Sequence, residues 1–81
     1  MAFELYKVNN GPKNGDEVYR NPTFNFIQYN INSKFYLYKA NDKNKTFDFA
    51  AECDTYQEAE EIAAKLEKQD EEIESAAWKP N

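Results

Sequence analysis

Phe26-Ile27-Gln28-Tyr29-Asn30-Ile31-Asn32-Ser33-Lys34-Phe35-Tyr36-Leu37-Tyr38 is the stretch whose reading decides the fold. Ile27, Tyr29 and Ile31 alternate along its first half, and Tyr36 and Tyr38 along its second. A two-residue turn at Asn32-Ser33 sets Tyr29 opposite Tyr36 and Ile27 opposite Tyr38. All five side chains then share one face of a β-hairpin, because side chains alternate across a strand. The second face carries Phe26, Phe35 and Leu37 among polar residues.

Further strands flank this hairpin. Phe3 to Val8 reads as a first strand. Asn10-Gly11, Gly11-Pro12 and Asn14-Gly15 mark a turn-rich loop after it, and Val18 to Arg20 as a short extended piece. The strand entering the hairpin runs from Thr23 to Ile31, with Phe24 and Phe26 on the opposite side from Ile27, Tyr29 and Ile31 unless a bulge near Asn25-Phe26 brings both sets to one side. Lys34 to Ala40 forms the next strand and Lys45 to Glu52 the last. A polar turn at 41–44 places Phe47 opposite Tyr38 and Phe49 opposite Tyr36, which gathers the aromatic residues on the Tyr/Ile face.

One helix follows. Thr55-Tyr56-Gln57-Glu58 is a capping box, in which hydroxyl and carboxylate each satisfy a free amide at the helix start. Ala59, Ile62, Ala63 and Leu66 then recur at helical spacing, with Ile73 in phase, and no Gly or Pro intervenes before Pro80. The expected architecture is α+β: an antiparallel meander of about four strands, with one C-terminal amphipathic helix over the Tyr/Ile face. At 81 residues this is a single domain, 1–81, too small for a deep enclosed cavity.

Charge is divided unevenly. Residues 1–45 carry seven basic and four acidic side chains, whereas residues 46–81 carry three basic and eleven acidic, so the helical half holds more than the whole net charge of −5. Such a dipole favours basic partners for the acidic end. Asn and Lys together supply 19 residues against one Arg, a bias of AT-rich coding DNA such as that of a phage or a low-GC microbe.

Histidine is absent, which removes the commonest general base, the commonest zinc ligand and every Ser-His or Cys-His pair. Gly11 and Gly15 are the only glycines, so no phosphate-cradling loop exists. The lone Cys53 excludes an internal disulfide and reads as a packing residue at the strand-to-helix corner. Asp42, Asn44, Thr46 and Asp48 alternate as calcium-loop oxygens do, but Phe47 occupies the position of the obligatory glycine, and a hairpin turn explains them better. No metal and no cofactor is expected. Without a secretory leader or a long apolar run, a cytoplasmic location is expected.

The expected function is that of a non-catalytic protein-binding module, of the inhibitor or regulator kind, encoded by a phage or microbe and docking on a larger cellular enzyme. Two surfaces carry that expectation. One is an open sheet face of Phe26, Phe35 and Leu37. The other is the acidic side of the helix, where Glu67, Asp70, Glu71 and Glu74 recur three and four residues apart and suit a basic surface. The alternatives are a homodimer closing the open sheet face, and a weak binder of single-stranded nucleic acid through Lys34, Tyr36, Tyr38 and Lys39.

Overall fold

The computed structural model describes residues 4–78, with side chains through residue 68. Five strands precede one helix: β1 (Glu4–Asn9), β2 (Glu17–Arg20), β3 (Phe26–Ile31), β4 (Lys34–Asn41), β5 (Thr46–Cys53) and α1 (Tyr56–Trp78). The strands form one curled sheet in the order β2-β1-β5-β4-β3. The fold is α+β as expected, but the sheet has five strands and is mixed, where about four strands in an antiparallel meander were expected. The short extended piece at Glu17–Arg20 completes an antiparallel ladder on β1. Asn10, Gly11 and Gly15 make that return possible by adopting positive φ in the intervening loop. β1 then lies parallel to β5, with Val8 beside Phe47.

The hairpin forms in the register that its sequence dictates, with Ile27 opposite Tyr38 and Tyr29 opposite Tyr36. Asn32 and Ser33 take φ values of 51° and 67°, the two positive angles of a type I′ turn, whose twist matches the flanking strands. Phe47 stands opposite Ala40 and Phe49 opposite Tyr38, displaced by two residues from the expected pairing. An even displacement preserves the face, so both rings still lie on the Tyr/Ile side. β3 pairs with β4 in unbroken register from Phe26 to Ile31, and Phe24 lies in the loop before it. The irregularity sits in β5 instead. Leu37 pairs with Ala51 and Tyr38 with Phe49, leaving Ala50 unmatched. This extra residue turns Ala51 and Cys53 to the opposite face from Phe47 and Phe49.

Each face therefore has its own core. Tyr6, Val8, Tyr38 and Phe47 form the buried cluster on the Tyr/Ile side, with Val18, Ile27, Tyr29, Tyr36 and Ala40 packed around them. Tyr29 and Phe49 both meet the Tyr38 ring edge-on, with centroids 5.6 Å away in each case. On the other side, Leu37 and Ala59 are fully buried and Cys53 nearly so.

The helix covers the Phe35/Leu37 face, which corrects the expectation that it lies on the Tyr/Ile face. Its Tyr56 ring packs edge-on against Phe35 at 6.2 Å, and its Glu60 accepts a hydrogen bond from Gln28 at 3.0 Å. The small Ala51, Ala59 and Ala63 suit a close approach between helix and sheet. The Tyr/Ile side needs no helix, because the sheet curls toward it and the β1–β2 loop closes over it. In that loop the Lys13 N–H donates to the Tyr38 hydroxyl at 3.3 Å, and the Lys13 ammonium lies 5.7 Å from the Tyr29 ring centre.

Arg20, the only arginine, fastens this curl. Its Nε donates to Asp42 Oδ1 and its Nη2 to Asn25 Oδ1, each at 3.0 Å. Its Nη1 donates to the carbonyls of Asn21 and Phe24. Asp42 also accepts from the Tyr6 hydroxyl at 2.6 Å. One guanidinium thus ties β2 to the β4–β5 turn and to the loop that enters β3.

The helix start follows the capping-box pattern. Thr55 Oγ1 accepts from the Glu58 N–H at 3.1 Å, while Glu58 reaches back one residue further than the cap, to the Asp54 N–H at 3.0 Å.

Two stability predictions result. Arg20→Lys should lose about 2–3 kcal/mol in urea denaturation, because a single ammonium cannot reach several acceptors held in a planar fork. Gly11→Ala should lose about 1–3 kcal/mol. Gly11 has φ +75°, and an added Cβ would stand 2.3 Å from the Tyr38 hydroxyl and 2.9 Å from the Phe49 ring. A Gly11→Ala midpoint equal to that of the wild type would show that the loop does not bear on Tyr38.

Candidate functional site

The helix axis leaves a groove of about 540 Å³ between one flank of α1 and β3. Phe26, Gln28 and Leu37 form its floor, and Tyr56, Glu60, Ala63 and Glu67 its wall. The wall residues recur at i, i+4, i+7 and i+11 and so form one helical stripe. That stripe lies beside the packing stripe of Ala59, Ile62 and Leu66 and shares Ala63 with it. The helix thus packs with one side and presents the adjoining side along the sheet edge.

Both carboxylates in the wall meet amides. Gln28 Nε2 donates to Glu60 at 3.0 Å, and Asn25 Nδ2 donates to Glu67 at 3.1 Å. Glu60 also raises the Tyr56 phenol pKa, chiefly by a hydrogen bond and then by its charge. No described cation pairs with Glu60 or Glu67. Two aromatic side chains border the same groove, Phe24 at 60% exposed and Tyr56 at 59%. The site therefore combines apolar surface with two carboxylates that pair with amides and no cation among the described residues, a pairing suited to long cationic side chains.

The expected site residues are distributed as follows. Leu37 is wholly buried and Phe35 packs under Tyr56, so the open Phe/Leu face does not exist as such. Phe26 remains half-buried in the groove floor, and Glu67 is in its wall. Asp70, Glu71 and Glu74 lie outside the described side chains. Phe24, which the sequence also offers for the second sheet face, borders the groove, whereas Tyr56 and Glu60 line it without standing out in the sequence. The spacing of Tyr56, Glu60 and Glu67 is the signal that could have found them, once the capping box fixed the helix start.

The aromatic-lysine interleaving on β4 does not form a stacking platform. Tyr38 is buried in the core. Lys34 is engaged by Asp54 at 2.9 Å and Glu52 at 3.6 Å, and the Asp54 hydrogen bond raises its pKa. Cys53 is buried, and burial, followed by the charges of Glu58, Asp54 and Glu52, pushes its thiol pKa up, away from thiolate chemistry. Among the described residues, no helix is long and apolar enough to cross a membrane.

A second hollow of about 510 Å³ opens near the β4–β5 turn, but its carboxylates are already committed. Asp48 accepts from Thr46, Asn41 and Asn9 at 2.8, 3.0 and 3.2 Å. Burial pushes the Asp48 carboxyl up, yet those hydrogen bonds outweigh it and hold the pKa below the usual range. Asp42 is lowered by its hydrogen bonds from Arg20 and then Tyr6. A carboxyl lowered by folding stabilises above its unfolded pKa and loses that contribution as pH falls through the folded value. Stability should therefore fall between about pH 5 and about pH 3. Asp42→Asn should be less stable than the wild type at neutral pH and lose less over that interval, as read from urea midpoints. Parallel acid losses in the two proteins would remove Asp42 from this account.

No protein-family model matches the chain, and no curated protein or solved structure matches it.

Proposed function

We propose that this chain is a small non-catalytic binding module whose partner is a protein with a basic surface. The groove between α1 and β3 is the surface it uses. The observation that carries this reading is the juxtaposition of Glu60 and Glu67, without a described cation, with Phe24, Tyr56 and the apolar groove floor. Apolar contacts supply affinity in such an arrangement, while uncompensated charge selects the partner and speeds the encounter. A module this size, with no histidine and no glycine-rich loop, acts by occupying a surface of something larger. That suits an inhibitor or regulator of a cellular enzyme, encoded by a phage or microbe and working in the cytoplasm. Asp70, Glu71 and Glu74 follow in the sequence and add to the negative charge of this half of the chain.

Affinity capture from a microbial lysate, followed by titration of the purified partner, tests this reading. Glu60→Lys combined with Glu67→Lys should weaken binding by about tenfold or more and flatten its salt dependence. Both side chains are exposed, so thermal unfolding should move little. Unchanged affinity in the double variant would place the interface elsewhere. The exposed Leu5–Tyr19 cross-strand pair on β1 and β2 would be the next surface to test.

A further inference from the structure

We infer that the groove receives an extended segment of the partner as a sixth strand on the free edge of β3, with basic side chains on its helix side and apolar ones on the other. This rests on the binding reading above and specifies its geometry.

The outer edge of β3 is a complete row of backbone groups. β3 ends the sheet and pairs only with β4. The Ala40 N–H donates to the Asn25 carbonyl at 2.8 Å, which fixes the phase of the ladder. In an antiparallel pair, hydrogen-bonded residues alternate with residues whose N–H and C=O point away. Ile27, Tyr29 and Ile31 therefore bond to β4, and the backbone groups of Phe26, Gln28 and Asn30 point outward. Among the described residues no hydrogen bond occupies them.

Nothing in the strand guards this edge. Phe26–Ile31 contains no charge, no proline and no glycine, whereas free edges are ordinarily blunted by Lys, Pro, a bulge or an inward charge. β2, the opposite edge, contrasts with it: it is four residues long and holds both Glu17 and Arg20.

The flanking surfaces specify the segment. A strand added about 4.8 Å beyond β3 would lie in the sheet plane along the open side of the groove, with alternate side chains on the face that α1 covers. Those residues meet apolar floor first and then Glu60 and Glu67, which suits lysine or arginine with its stem on the floor. The remaining side chains lie beside Ile27, Tyr29 and Ile31, all half-buried, and apolar residues suit that side. A second copy of this chain fits poorly. Pairing β3 antiparallel with its own copy puts both helices on one side of a continuous sheet, with Glu60 and Glu67 of each turned toward the like charges of the other, in a chain whose net charge is −5.

The test uses the full chain, amide hydrogen exchange and a short synthetic peptide of alternating lysine and valine. In the free protein, the amides of Phe26, Gln28 and Asn30 should exchange fast and those of Ile27, Tyr29 and Ile31 slowly. The peptide should slow the first set, and Glu60→Gln with Glu67→Gln should weaken it roughly tenfold. N-methylating the peptide amides that face β3 should abolish the protection and cost at least about tenfold in affinity, since charge and side chains are kept while the ladder is lost. Equal binding of the methylated peptide in the groove would overturn strand addition and leave the charged groove intact as a docking surface. No effect of either peptide on these amides would also overturn it, independently of the lysate experiment. If the three amides are already protected in a dimer of the free protein, the occupant is a second copy and the inference is wrong.

Discussion

One unmatched residue, Ala50, determines how the two faces of this sheet are filled. Without it, Phe47, Phe49, Ala51 and Cys53 would line a single face in strict alternation. With it, the two rings join the tyrosines and the two small residues turn beneath the helix. A bulge also bends its strand and increases local twist, in keeping with a sheet that curls toward its aromatic side. Large rings belong on that concave side, where curvature brings them together around Tyr38. Small residues belong where a helix must approach. The curl, the helix docking and the groove that the helix leaves open all follow from this division.

Curling solves a problem that a single helix cannot. A sheet with two apolar faces needs two covers, and the described residues supply one helix. The second cover is made from the sheet itself, from the Gly11 loop and from Arg20. Most of what Arg20 meets is backbone carbonyl or amide oxygen, so its own buried guanidinium is satisfied mainly by the loop that enters β3. Asp42 takes the remaining Nε donor while itself largely exposed, its side chain 65% accessible against 9% for Arg20. The exposed half of such a pair gains little from Coulomb attraction, and the buried half depends on its hydrogen bonds.

Much of this was legible in the sequence, and the misplaced helix traces to one residue. The Tyr29–Tyr36 register, the Asn32-Ser33 turn and the Thr55 cap each rest on interactions between residues close in the chain, where periodicity and turn chemistry are decisive. The association of Phe47 and Phe49 with the tyrosines was also readable, since an even error in register does not change the face. What the sequence did not reveal depended on one residue breaking a period. Ala50 has no turn signal, no glycine and no charge to announce it. Alternation read past it, and the helix was assigned to the aromatic face because that face is the more apolar. The role of β1 beside β5 was hidden for a different reason, since a parallel neighbour arrives through a crossover that no local pattern records. The site inherited these errors: Leu37 was read as exposed, whereas Glu60, one flank away from the packing stripe, was not read at all.

The arrangement around β3 follows from the same geometry. The helix must lie over β4 and β5, because Leu37, Ala51 and Cys53 are there, and this leaves the last strand only partly roofed. A fully roofed β3 would need bulk at Ala63 and Ala64, and these positions carry methyl groups instead. Polar residues occupy the remaining space, with Gln28 on β3 and Asn25 in the loop before it directed to carboxylates on the helix. Those two hydrogen bonds hold Glu60 and Glu67 over the groove without neutralising either, since an amide donor leaves the negative charge in place. Direct Lys–Glu pairs would fasten helix to strand at least as firmly, and Lys is abundant in this chain. The use of amides here fastens helix to sheet while both carboxylates keep their charge beside the outer edge of β3.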